Sequence, residues 1–113
     1  MNSSELTRIG FIEITAAKSR EINGGYCGDL LSWVMGRAEE GNLWFTIMGN
    51  LNAVAVASLV DVAAIVLCDG VTLEETVLQK AKEEGINIYA TELPVYAAAT
   101  RFFGYISSLE GEN

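Results

Sequence analysis

Histidine is missing altogether from the 113 residues. With it go the usual general base near neutral pH and the commonest transition-metal ligand. Ser-His-Asp and Cys-His triads are therefore excluded within one chain, so any chemistry must rest on carboxylates, lysine, tyrosine or a bound ion. Basic residues are scarce too: seven Lys and Arg against fifteen Asp and Glu give a formal net charge of −8. That balance argues against nucleic acid, whose binding needs cations to displace counterions from phosphates. It argues equally against an anionic membrane surface. Two cysteines do not make a disulfide framework, and a reduced, cytoplasmic setting is the expectation. Long apolar runs are absent as well. The longest, Ala53 to Cys68, carries Ser58 and Asp61 and falls short of the roughly 20 residues a bilayer core requires, so no membrane span is expected. The opening "MNSSELTRIG" has no basic stretch followed by a long apolar one, so no signal peptide is expected.

What is present favours a folded domain. Half the residues are apolar and 19% are charged. The length suits one domain, residues 1–113, with a single core and with 1–7 and 108–113 expected to fray. Residues 4–9 suggest one helical turn capped by Ser3 or Ser4 and stopped by Gly10. Phe11 to Thr15 alternates as a half-buried strand does. After the basic turn "AKSR", Glu21 to Asn23 suggests a short strand, followed by a glycine-rich loop within "EINGGYCGDLLSW".

From Asp29, an expected N-cap, the pattern turns helical, with Leu30, Leu31, Val34, Met35 and Ala38 on one stripe and Trp33 off it. Leu43 to Met48 reads as a buried strand. Asn52 is placed to cap a helix over 53–60, and Ala63 to Cys68 reads as another buried strand. Thr72 and Glu75 fit a capping box for a helix ended by Gly85. Ile86 to Ala90 reads as a strand, and Pro94 opens a last helix with Val95, Ala98, Ala99, Phe102, Phe103 and Ile106 along one stripe. "EGEN" is expected as a solvated tail. Alternating strands and helices with short loops imply an α/β domain: a mainly parallel sheet of about five strands with helices packed on its faces.

The segments "GGYCGDLLSWVM", "NLNAVAVA" and "AAIVLCDGVTLEETVLQKAKEEGINIYATELPVYAAATRF", in that order and spacing, resemble the DRTGG domain family, related to the N-terminal domain of HPr kinase/phosphorylase. The resemblance runs from about Ile22 to Phe103. The literal Asp-Arg-Thr-Gly-Gly string is absent; its nearest equivalent is Glu21-Ile22-Asn23-Gly24-Gly25, which has no arginine to hold an anion. The resemblance implies a regulatory and dimerisation module rather than a catalyst. Such domains occur joined to phosphotransacetylase or to nucleotide-sensing CBS pairs, and as small free-standing proteins, which this chain is similar to.

In open parallel sheets, ligands bind beyond the carboxyl ends of the strands. Four loops are expected there, contributing Gly24, Gly25, Asp29, Gly49, Asn50, Asn52, Asp69, Gly70 and Thr91 as the expected ligand contacts. Glycines also serve simply to permit tight turns. "GGYCG" matches neither the dinucleotide fingerprint nor a P-loop, and Asp29 already occupies the helix start where a phosphate would be favoured. Cys27, just before that helix, is either a modestly activated thiol or a small hydrophobe; Cys68 lies in an apolar strand. Asp29, Asp69 and Glu92 could converge on Mg²⁺ or Ca²⁺, but turns and caps explain the aspartates too, and no metal or cofactor is expected. The helix over 53–60 is apolar nearly all round, so a partner subunit or the chain itself must cover it. A homodimer is expected, with Trp33, Val54, Val56 and Tyr96 at its interface and Tyr105 a further candidate. Three functions stand open: a regulatory module with a small-molecule ligand, a structural accessory bound to a partner protein, and a carboxylate- or metal-dependent enzyme.

Overall fold

The computed structural model describes residues 1–111. A 3₁₀ helix (Ser3–Ile9) leads into β1 (Ile12–Thr15), β2 (Gly24–Cys27), α1 (Leu31–Arg37), β3 (Asn42–Thr46) and α2 (Leu51–Val60). There follow β4 (Ala64–Leu67), α3 (Glu75–Glu84), β5 (Ile88–Ala90) and α4 (Val95–Gly111). The five strands form one sheet in the order β1-β5-β4-β3-β2, parallel except for β1, which runs antiparallel to β5. The α/β expectation, with about five strands in a mainly parallel sheet, holds.

Every residue of β3 and β4 is buried, as befits parallel strands sandwiched between helical layers. On one face Val34 of α1 and the apolar residues of α2 and α3 pack on Trp44, Ile65, Leu67 and Ile88. On the other, Ala98 and Phe102 of α4 and Leu6 of the 3₁₀ helix pack on Leu43, Phe45, Val66 and Tyr89. Phe45 meets Phe11 edge-on at 6.4 Å and Phe102 at 5.8 Å, so aromatic rings tie that second layer to the sheet. All three crossover helices thus share one face, and the parallel strands follow one another in sequence order.

Several local expectations change. The helix cap of α2 is Asn50, whose Oδ1 accepts from Ala53 N at 2.8 Å, so the helix starts before Asn52. Glu74, not Thr72, is the N-cap of α3, and no capping box forms; Leu73 instead turns inward against the core. Asn2 caps the first helix in place of Ser3 or Ser4, with Glu5 completing a capping box. Residues 1–7, expected to fray, are held in place: Leu6 is fully buried, and Ile22 N donates to Met1 O at 2.7 Å. Phe103 lies off the buried stripe of α4 and is exposed. Helix α4 runs on through Glu110 and Gly111 of the expected tail, and residues 112–113 lie outside the described residues.

Buried Asn87 fixes the "AKSR" turn. Its amide group donates to Lys18 O and Ala63 O, and its carbonyl accepts from Ala17 N and Lys18 N. Its amide hydrogens and its carbonyl oxygen all have partners, which removes the cost of burying a polar side chain.

Because Leu6 closes the second core layer, Leu6→Ala should lower stability by about 2–5 kcal/mol, read as a reduced urea midpoint at unchanged m-value. A loss under about 0.5 kcal/mol, as at an ordinary surface position, would return the amino terminus to the fraying end first expected.

Candidate functional site

The stretch "GGYC" is not a loop but strand β2, paired with β3 from Gly24↔Asn42 to Cys27↔Phe45. A side chain at Gly25 would come into ordinary contact with β3 and α4. A Cβ on Gly25 would stand 3.4 Å from Leu43 O and from the Phe45 ring, and 3.7 Å from Phe102 of α4. The turn that follows is stitched to β3. Trp44 Nε1 donates to Gly28 O at 2.9 Å, and Asp29 Oδ1 accepts from Thr46 Oγ1 at 2.7 Å and from Ile47 N at 3.0 Å. Asp29 therefore caps a strand end, not a helix. The N-cap of α1 is Leu30, without a side-chain hydrogen bond.

The other expected contacts divide between two depressions. Since the parallel strands run in sequence order with their crossovers on one face, the sheet has no point where the winding reverses, and the central crevice that such a point creates does not form. Gly49, Asn50 and Asn52 border a shallow depression between the starts of α2 and α3. Gly70 and Thr91 border a separate groove at the β1 side of the sheet. Asp69 is exposed in the turn leading to that groove, and Gly24 and Gly25 lie away from both.

The groove measures about 250 Å³, a little under the ~300–1,000 Å³ usual for drug-sized ligands. Its floor is Leu67 and Ala90; its walls are Ile12 and Ile14 on one side and Val71, Leu73 and Leu78 on the other. Gly70, Thr72, Thr91 and Glu92 form the rim. Ile12 and Ile14 remain 61% and 39% exposed, because the α1–α3 layer covers the middle of the sheet and leaves the edge strand open. Gly70 adopts φ +70°, and a Cβ there would lie 2.5 Å from Glu92 Oε2, so only glycine lets the carboxylate settle over the turn. Gly70 N donates to Thr91 O at 3.0 Å, and Thr91 Oγ1 accepts from Leu93 N at 3.2 Å. Ile12 and Ile14 were not singled out in the sequence. The signal was there: in "FIEIT" both faces carry apolar residues, more than a half-buried strand needs.

Among the described residues no three Asp, Glu or Cys side chains gather closely enough to hold a metal ion, so Asp29, Asp69 and Glu92 do not converge. Cys27 ends a strand rather than preceding a helix. Partial burial and the Asp29 carboxylate both push its thiol above the ordinary range. Burial above all, with help from Asp69, pushes the Cys68 thiol up to about 12. Val54 and Val56 are 2% and 7% exposed within the chain itself, enclosed as α2 packs between α1 and α3, so they cannot supply the interface first assigned to them. Trp33 and Tyr96 are exposed, with Arg37 stacked 3.7 Å from the Trp33 ring centroid. Tyr105 is partly buried and donates to Glu5 Oε1 at 3.2 Å. No described helix is long and apolar enough to cross a membrane.

The fold is a three-layer α/β arrangement of the kind found in a DRTGG-containing regulatory region. It superposes on the crystal structure of the CBS and DRTGG domains from the regulatory region of Clostridium perfringens pyrophosphatase, complexed with its activator diadenosine tetraphosphate. The TM-score is 0.69, with 12% identity over 84% of this chain and 42% of that one. The likeness is one of fold. No family model matches the chain, and no curated protein matches it in sequence.

Two outcomes are expected of the β2 end. At pH 8 Cys27 should alkylate more slowly than a free thiol, its rate still climbing above pH 9, because a raised pKa leaves less thiolate; a faster rate at pH 7 would contradict this. Asp29→Ala should cost about 1–2 kcal/mol in urea melts by stripping Thr46 of its acceptor, whereas a dispensable surface carboxylate would cost almost nothing.

Proposed function

We propose that the chain is a non-catalytic regulatory module, a dimer that holds a small molecule in the β1-side groove and passes its occupied state to another protein. One observation carries this reading: a preformed apolar groove with a few convergent polar groups, on a domain without histidine and without a described carboxylate cluster. The fold likeness to a regulatory region that takes a nucleotide activator supports the role, and the DRTGG resemblance points the same way.

The dimer contact is assigned to the outer face of α4. Tyr96 and Phe103, 81% and 67% exposed, lie on one stripe of that helix, two turns apart, and border an apolar depression with Val95, Ala99 and Cys27. Exposed aromatic residues in an uncharged surround suit a self-complementary contact on an otherwise acidic chain. A structural accessory is the second reading, favoured by Leu30, Trp33 and Met35, which stand half exposed around short α1. It predicts that Trp33→Ala weakens partner capture while small molecules have no effect.

Native mass spectrometry on gently purified protein tests the main reading. A dimer with added mass is expected, with the added mass lost in Ala90→Phe, which fills the groove floor, and the dimer lost in Phe103→Asp. A clean dimer with no added mass would favour the accessory, and a bare wild-type monomer would contradict the α4 interface.

A further inference from the structure

We infer that the groove, if it is the ligand site just proposed, takes a compact cationic amphiphile: an amine on an apolar body, with the ammonium seated by Glu92. It excludes anions, nucleotide phosphates among them.

The lining separates the two halves of such a ligand. Ile12, Ile14, Leu67, Val71, Leu78 and Ala90 offer only hydrocarbon. The rim offers one charge, the Glu92 carboxylate, held over Gly70 and without an ion-pair partner among the described residues. No lysine or arginine lines the groove. Three backbone donors of the rim are already engaged and unavailable to an oxyanion: Gly70 N with Thr91 O, Val71 N with Cys68 O, and Thr91 N with Leu67 O, at 3.0, 3.3 and 2.9 Å. The nearby start of α3 does not help an anion, because Glu74 is its N-cap and Glu75 stands in its first turn. The whole chain, at −8, adds repulsion in the same sense. Attraction for a cation and rejection of an anion thus come from the same carboxylate, the usual way in which a site gains specificity by both means.

A matched series isolates the charge: 3-phenylpropylamine, 3-phenylpropanol and 3-phenylpropanoate share one apolar body. Each is titrated into ¹⁵N-labelled full-length protein at low salt, following the amides of Gly70, Val71 and Thr91, with diadenosine tetraphosphate as the nucleotide probe. The amine should bind about twofold to fivefold more tightly than the alcohol, and the carboxylate more weakly than either, an effect of the size exposed ion pairs give. Glu92→Gln, at an exposed position, should bring the amine down to the alcohol and leave the alcohol unchanged. Equal affinities for all three, an unchanged preference for the amine in Glu92→Gln, or tighter binding of the carboxylate or the nucleotide at these amides would overturn the cationic assignment while leaving the groove a ligand site. No shift at these amides with any probe would overturn the groove itself.

Discussion

Two strands buried on both faces, β3 and β4, are the constraint on which the rest of the molecule depends. Every residue of "NLWFT" and "AIVL" is buried, Asn42 and Thr46 included, so each strand must lie between two helical layers. The chain meets this with crossovers α1, α2 and α3 on one side and with α4 and the amino-terminal 3₁₀ helix on the other. Cover is therefore concentrated on the centre of the sheet. The edge strand β1 receives it on one face only, through Phe11 and Thr15, and the isoleucines of its other face stay open beside α3. The groove is a direct consequence of where the helical layer ends.

The same arrangement explains the chemistry the groove favours. The turns at the carboxyl ends of the strands are tied down by internal hydrogen bonds: Asp29 to β3, Asp69 and Gly70 to the β5 turn, Asn50 to its own helix. The charge left at the groove is a carboxylate, that of Glu92.

Periodicity made most of the architecture legible, because β3, β4 and the amphipathic α3 announce themselves in burial pattern and stop signals. Composition misled where local rules compete with pairing. "GGYCGD" resembles a loop, yet the two glycines are strand residues paired with β3, and Asp29 serves β3. Caps shifted for a similar reason: Asn50 and Asn52 are equivalent on paper, and only the path of the chain out of β3 selects the first. Strand order was invisible. Without it the four expected loops could not be sorted. The all-round apolarity of α2 is met in part by α1, α3 and the sheet, while Leu51 and Leu59 on its outer side stay 49% and 71% exposed. Asn87, whose buried side chain fixes a turn some seventy residues earlier in sequence, gave no local signal at all.

The central claim is that the β1-side groove exists to be filled. A crystal structure of protein purified without dialysis tests it most directly. The account predicts an open groove holding density for a compact organic molecule between Ile12 and Leu78, its polar end at Glu92. A groove closed by Leu73 and Leu78 against Ile12 and Ile14, with no density between them, would contradict it.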